Sequence, residues 1–513
     1  MTANNSLVTA KEYFQAGLNF LECGQYEQAK IELLKAYELL PERPSILANL
    51  SATLIHLREW EQAQNICEKL LAIEPQDSIG WLNLGVCAAH QEQTHFAIEC
   101  FDKCLQIDPN SVGALANKGN AHQDLEEFEV AKGCYKKALV LDPQYEEALI
   151  GSGNLLNELK RYDVALDQFD QAIKINPHNH LAKWNKALSL LRLGKFKEGW
   201  PLFEFRWQVS GMKEHRPKLT APLWLGHESL DNKTIYVYAE QGYGDAIQFS
   251  RYLPMLESEK NARVILGVPK PLVALMQNLS PSIEVVDQKT FSEHSFPKQI
   301  DFQCPIMSLA LAFDTKLDSI PNLTPYLFAE PNKQGFWATK LRSSSDNQAK
   351  PFKVGIAWRG SGKYANKASQ KRDIPFNLIE EFITQLSSTG IEFHAIQIEF
   401  GQDTDFKALN TPGLKTYAQE LVDFSDTAAL ISQLDLIVSV DTACAHLAGA
   451  LGMPTLLLIP DPPDFMSLID CDKSPWYPNT TLLRQHHRND WSSPLAMARD
   501  KILLAAKNSI STN

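Results

Sequence analysis

Three short stretches of this sequence carry residue types and spacings that could do chemistry. The first is AEQGYGDAIQFSRY, residues 239–252, which follows the β-branched and aromatic run TIYVY and opens into a helical pattern. Its Gly242 and Gly244 permit the positive backbone angles of a tight turn. That turn presents Asp245 at a helix start, where it faces a cleft or serves as a helix cap. A dinucleotide cradle does not fit. The third glycine of that fingerprint is replaced by Ile247, and the next strand pattern, RVILGVPK, carries no acidic residue for a ribose.

The second stretch, AWRGSGKYANKASQKR at 357–372, follows the strand pattern FKVGIA. It departs from a triphosphate-binding loop, with Ala357 where a glycine is needed and Tyr364 after Lys363. Arg359, Lys363, Lys367, Lys371 and Arg372 nevertheless gather five cations before the first carboxylate, Asp373. In a chain of net charge −12, that local reversal of sign points to an anion. In the third stretch, LDLIVSVDTACAHLAGALGMPTLLLIP at 434–460, a strand pattern ends at Asp441, and Thr442, His446 and Gly449 fall on the helix that follows. The amides of such a helix start can receive a phosphate.

Composition narrows the class. With 513 residues, 44% hydrophobic and 21% charged, the chain has room for about three or four domains. Its negative charge argues against a nucleic-acid partner. The opening MTANNSLVTAKEY lacks the basic and apolar regions of a secretion signal, and the longest apolar run is broken by Asp435, Asp441 and His446. A cytoplasmic protein without membrane insertion is therefore expected. Nine cysteines without a C-x-x-C pair fit reduced thiols, and Cys100 and Cys104, on one helix face, read as packing residues. Asp403 and Asp405 in GQDTDFKAL lack supporting ligands and read as a polar turn, so no metal is expected.

The elements that must position these stretches are marked first by prolines. Pro41, Pro75, Pro109, Pro143 and Pro177 recur every 34 residues, the tetratricopeptide period. Ala29, Ala63, Ala97, Ala131 and Ala165 keep the same register, as expected where paired helices approach closely. In the third unit Trp81, Leu84 and Gly85 begin the first helix and Phe101 and Cys104 line the second; in the fifth, Leu149, Gly153, Phe169 and Ala172 take these places. A degenerate sixth unit from His180 to about Trp207 caps the array. The habit of such an array is to hold a protein or peptide. Asn49, Asn83, Asn117 and Asn185 keep register in the first helices, and would hydrogen-bond an extended peptide backbone if they face the groove.

After Trp207 the period changes. TIYVYAE, RVILGV, IEVVD, FKVGIAW, EFHAIQIE, LDLIVSV and PTLLLIP alternate with helical segments, the pattern of parallel sheets covered by helices. The polar stretch LRSSSDNQAKP at 341–351 divides this half into two lobes. The predicted organisation is an α-solenoid, a tetratricopeptide superhelix, at 1–207 and two α/β lobes at 208–345 and 346–513. Ligands would lie at the carboxyl ends of the strands.

The segment DTACAHLAGALGMPT resembles the D-[ST]-x-x-x-H-L-A-x-A-L-G-x-P-T element of glycosyltransferase family 9, the heptosyltransferases, which contacts a nucleotide-sugar diphosphate. EQGYGDAIQFSRY, WRGSGKYANKASQKR and DFMSLIDCDKSPWYP resemble matching segments of bacterial proteins that join tetratricopeptide repeats to such a domain. These proteins are similar in architecture to O-GlcNAc transferase and flagellin glycosyltransferases. The relatives usually carry Asn-Asp before the arginine of the second motif, where this chain reads KASQKR.

The resemblance implies a GT-B fold of two Rossmann-like lobes. It also implies an inverting transfer without metal or cofactor, the nucleotide-sugar being a co-substrate. Asp245 becomes the general base, and donor contacts fall to Gly242, Gly244, Gln248, Trp358, Arg359, Lys363, Arg372, Asp441, Thr442, His446 and Gly449. The expected function is transfer of a sugar to Ser or Thr of a polypeptide held by the repeats. The alternatives are a glycan or lipid-linked acceptor, or an inactive protein-binding scaffold.

Overall fold

The computed structural model describes residues 3–209, 216–292, 299–342, 350–360, 371–398 and 410–511. The chain forms two compact units, Met1–Lys186 and Ala187–Asn513.

The first unit is a stack of paired helices. Ser78–His90 pairs with Thr94–Ile107, Val112–Asp124 with Phe128–Leu141, and Glu146–Glu158 with Tyr162–Ile175, keeping the 34-residue interval. The sequence produces this pairing by setting a glycine on one helix against an aromatic ring on the other. A Cβ added at Gly85 would lie 2.5 Å from the Phe101 ring, and one at Gly119 or Gly153 would lie 2.6 Å from Tyr135 or Phe169. Ala29, Ala63, Ala97, Ala131 and Ala165 have no exposed surface, and Cys100 and Cys104 are buried beside them.

The turn between paired helices also repeats. Gly24, Arg58, Glu92, Glu126, Lys160 and Gly194 all take left-handed backbone, with φ between 58° and 72°. In each case the next residue's N–H reaches back to a carbonyl five residues earlier, as from Gln93 to Ala88 and from Glu127 to His122. This bond closes the helix end.

The structure corrects the expected asparagine ladder at Asn83 and Asn185. Asn83 is buried and its Nδ2 donates to Ser51 Oγ at 2.9 Å. Asn185, also buried, donates to Asn154 Oδ1 at 2.9 Å. Asn49 and Asn117 donate to carbonyls one turn back, Ser45 and Gly113. The two buried amides thus satisfy the solenoid itself, where first helices of successive repeats meet.

The second unit holds two wholly parallel sheets. The first contains β1 (Thr234–Tyr238), β2 (Arg263–Val268), β3 (Glu284–Asp287) and β4 (Phe302–Pro305), in the order β3-β2-β1-β4. The second contains β5 (Phe352–Ala357), β6 (Ile391–Ala395), β7 (Leu414–Lys415), β8 (Leu436–Val440), β9 (Thr455–Ile459) and β10 (Thr480–Arg484). Its order, β7-β6-β5-β8-β9-β10, is that of a dinucleotide-binding sheet, with a switch point between β5 and β8. Both faces are covered, so β1, β8 and β9 are buried along their whole length. The helix Phe376–Ser387 shows how: Phe376, Ile379, Phe382, Ile383 and Leu386 recur at helical spacing and join one core with Val354, Phe393 and Val438.

The border between units lies at 186/187, ahead of the expected 207, and one compact unit contains both lobes. The reason is apolar. The helix Phe196–Phe203 places Phe196 6.1 Å from Trp476, Trp200 6.1 Å from Phe249, and Phe203 5.8 Å from Phe465, measured between ring centroids. The second half of the degenerate repeat is thus core of the α/β unit.

Candidate functional site

The switch point of the second sheet falls where the chain leaves β5 and β8, so the topology delivers Trp358 and Arg359 to one side and Asp441 and Thr442 to the other. Asp441 is 7% exposed. Its backbone oxygen accepts from Arg372 Nη1 at 3.0 Å, its Oδ2 lies 3.8 Å from the same nitrogen, and its Oδ1 lies 3.3 Å from His446 Nε2. Burial alone would raise its carboxyl, but the hydrogen bond and charge of His446 and the charge of Arg372 hold it below the ordinary value. An ionised carboxylate only accepts, so His446 carries a proton on Nε2. Its Nδ1 is 3.1 Å from the Tyr477 hydroxyl, which burial keeps protonated.

Thr442 begins the helix Ala443–Ala450, and its side chain does not cap the helix amides. The Thr442 hydroxyl is instead 3.2 Å from Ser439 Oγ. The exposed N–H groups of such a start, with the helix dipole behind them, suit a phosphate. Arg372 lies beside this start through its bond to Asp441. Arg359 Nη2 pairs with Asp373 at 3.5 Å, while Lys363 and the pair Asp403 and Asp405 fall outside the described residues. Among the described residues no group of three or more potential ligands is placed to hold a metal ion.

The other wall of the cleft comes from the first sheet. After β1 the chain turns through Gln241, whose φ is +55°, into the helix Tyr243–Phe249. This corrects the expected role of the glycines. Gly242 has a φ of −88°, and the left-handed residue of the turn is Gln241. Gly244 is required for a different reason: a Cβ there would lie 2.7 Å from His446 Cδ2. The glycine lets the two lobes meet, bringing the start of one helix against the histidine of the other.

Asp245 stands beside that contact, half-buried, and its Oδ2 accepts from the Gly242 N–H at 2.9 Å. It therefore caps its own turn. Its carboxyl is also pushed up to about 6, chiefly by burial. The negative charges of Asp464 and Asp441 add to the rise, and the Gly242 N–H and His446 oppose it. A carboxyl of this kind is ionised at neutral pH and basic enough to take a proton from a hydroxyl.

Three of the expected donor contacts are buried. Trp358 is 1% exposed and packs in the core of the second sheet, 5.4 Å from the Phe376 ring centroid. Gln248 is fully buried, with Nε2 3.3 Å from Met466 Sδ. Gly449 lies under Tyr477, whose ring would be 2.5 Å from an added Cβ. The helix that carries His446 turns Gly449 inward, and Gln248, on the helix Tyr243–Phe249, is buried where it lines one cavity with Asp441 and His446.

Sequence reasoning missed two residues. Tyr477 holds His446, and the buried Arg251 holds Tyr477, its guanidinium 4.6 Å from that ring and donating to Trp476 O at 2.6 Å. Only the aromatic cluster SPWYP hinted at them.

With this geometry in view, the chain can be compared with known proteins. Tetratricopeptide repeat families match residues 20–84, 78–111, 117–180 and 161–203. The glycosyltransferase family 9 (heptosyltransferase) family matches residues 412–491, which include Asp441, Thr442, His446 and Gly449. Protein FlbA of Caulobacter vibrioides is 24% identical over 310 residues, 57% of this chain and 50% of that protein. The chain thus spans about half the length of the curated relative it matches.

Among solved structures, a thermophilic tetratricopeptide protein of Thermus thermophilus is 21% identical, covering 36% of this chain and 99% of that one at a TM-score of 0.33. The pilF protein of Pseudomonas aeruginosa is 22% identical, covering 41% and 95% at a TM-score of 0.33. The chain joins tetratricopeptide repeats to a C-terminal glycosyltransferase family 9 domain.

Proposed function

We propose that the protein transfers a sugar from a nucleotide-sugar to Ser or Thr of a polypeptide held by its repeats, with inversion at the anomeric carbon and without a metal. One observation carries the reading: Asp245 from the first lobe stands opposite the His446, Asp441 and Arg372 cluster and the uncapped helix start of the second. In this GT-B arrangement the nucleotide diphosphate lies against the amides of the helix Ala443–Ala450, with Arg372 offsetting the charge that develops on the leaving phosphate. Asp441 acts as a positioning residue, holding Arg372 and His446. Asp245 removes the proton of the acceptor hydroxyl as it attacks from the opposite face.

The setting we propose is the cytoplasm. All nine cysteines are free thiols, in keeping with a reducing compartment, and among the described residues no helix is long and apolar enough to cross a membrane.

The test is mass spectrometry of candidate acceptors after incubation with UDP-, ADP-, GDP- and CMP-sugars, with and without EDTA. Transfer to protein at an unchanged rate in EDTA is expected. A tenfold loss restored by manganese would overturn metal independence. The family description names heptosyltransferases, which favours a saccharide acceptor as the second reading; transfer to a glycan but to no protein would select it.

A further inference from the structure

Behind the catalytic turn lies an ionic cluster that the transfer reaction does not itself use. Arg206, in the short helical turn Glu204–Gln208, has no exposed surface. Its Nε and Nη2 donate to the two oxygens of Glu240 at 2.8 and 2.9 Å, its Nη1 to Phe203 O and Glu204 Oε1 at 3.1 and 2.8 Å, and its Nη2 also to Ser308 Oγ at 2.8 Å. All five guanidinium N–H groups are thereby engaged. Glu240 is 8% exposed and also accepts from the Met307 N–H at 3.1 Å. The cluster thus fills the gap at the carboxyl ends of β1 and β4, the switch point of the first sheet.

Its position in sequence gives it a consequence. Glu240 immediately precedes Gln241, the residue held in left-handed backbone, and Gln241 precedes Gly242, whose N–H fixes the Asp245 carboxylate. A strained, non-glycine conformation persists only where its surroundings over-determine it. Here one side of Gln241 is fixed by Arg206 through Glu240, and the other by Asp245 through Gly242.

We infer that Arg206 and Glu240 are positioning residues for Asp245: the paired fork of guanidinium and carboxylate sets the turn from which the base projects. The inference rests on Asp245 being the base, as proposed above. It also makes the end of the degenerate repeat part of the catalytic apparatus, because Arg206 comes from that segment.

Two variants of the full chain test it. Glu240→Gln keeps the shape but turns an N–H toward the guanidinium, and Arg206→Lys keeps the charge but cannot form the two-pronged pair. Amide hydrogen exchange needs neither donor nor acceptor. In a folded variant, exchange at Gly242 should quicken at least ~10-fold while β1 stays protected, since local opening is read independently of global stability. Turnover should fall in kcat by ~10-fold or more with donor KM little changed, as for loss of a transition-state group. The acidic limb of kcat should move down in pH as Asp245 gains water.

A stability anchor with no positioning role would lower the melting temperature and leave exchange at Gly242, kcat and the pH limb unchanged; that result in either folded variant overturns the inference. Faster exchange at Gly242 in an enzyme whose wild type transfers no sugar would instead refute the proposed reaction while leaving the clamp on the turn intact.

Discussion

In the first sheet, the gap between the ends of β1 and β4 is occupied by the Arg206–Glu240 pair. The corresponding gap between β5 and β8 in the second sheet leads to Asp441 beside a helix start that its own N-cap, Thr442, does not cap. Both sheets share the arrangement of a first strand flanked by the second and the fourth, so strand order alone decides neither outcome. What differs is where the counter-charge comes from. Glu240 is matched from inside the fold by a buried arginine. Asp441 is matched by Arg372 and His446, which reach it from the cleft side, and among the described residues no side chain caps the helix amides next to it. The same topology therefore yields a sealed structural joint in one lobe and, in the other, the site proposed for the donor.

The largest effect is expected from breaking the sealed joint altogether. A fragment comprising residues 180–513 should fold and hydrolyse donor slowly without modifying protein. A fragment beginning at 208 loses Phe196, Trp200, Phe203 and Arg206, and leaves the Glu240 charge buried without its partner, a loss of about 3–5 kcal/mol from the pair alone. Thermal unfolding followed by near-ultraviolet circular dichroism checks this, and a cooperative transition in the shorter fragment would show that the joint is dispensable.

Asp245→Asn comes next. Asparagine can still accept from the Gly242 N–H, so the cap survives while the basicity goes, and kcat should fall roughly 10²–10⁴-fold with nucleotide affinity unchanged. In the wild type, activity should be lost as pH falls through about 6, where the Asp245 carboxyl takes up its proton. The sign for stability is opposite to that of a salt-bridged carboxylate. A raised native pKa means the native state holds the proton more tightly, so folding weakens as pH rises from the unfolded value near 4 to about 6. Asp245→Asn should therefore melt no lower than wild type at pH 7.

On the receptive side, His446→Ala and Arg372→Met should each weaken binding of the nucleoside diphosphate by roughly 10–100-fold, the range for a lost hydrogen bond to a charged group. Calorimetry reads this directly, and wild-type affinity in both variants would remove the donor from this site. The smallest effect on binding is expected at Trp358→Phe. Its ring belongs to the core, so stability should drop by about 1–3 kcal/mol with nucleotide affinity unchanged.

The repeats were legible in the sequence because their contacts are local. Gly85 meets Phe101, and Gly153 meets Phe169, within one helix pair, and a fixed interval repeats the arrangement until chance is excluded. Asp441, Thr442 and His446 were legible because they follow one another at a single strand-to-helix turn. The neighbours misread as donor contacts failed for a related reason: Trp358 and Gly449 sit one or a few residues from the cleft, and the linear sequence does not show which face an individual side chain takes. Tyr477, Arg251 and the Arg206–Glu240 pair were unreadable because each acts on a residue far away in sequence. Arg206 reaches across 34 positions to Glu240 and Arg251 across 225 to Trp476. No local pattern reports such a pairing.

The six left-handed turns of the helix pairs point to a record kept in dihedral angles rather than in side chains. Positions 24, 58, 92, 126, 160 and 194 are Gly, Arg, Glu, Glu, Lys and Gly, an alphabet with little in common, yet their φ values agree within 14°. For the four non-glycine residues this conformation costs about 1–2 kcal/mol each relative to ordinary helical backbone. A divergent copy of this module can thus lose every conserved letter at the turn and still keep the same bend, so an ancestry traced through backbone geometry would extend further back than one traced through amino-acid identity.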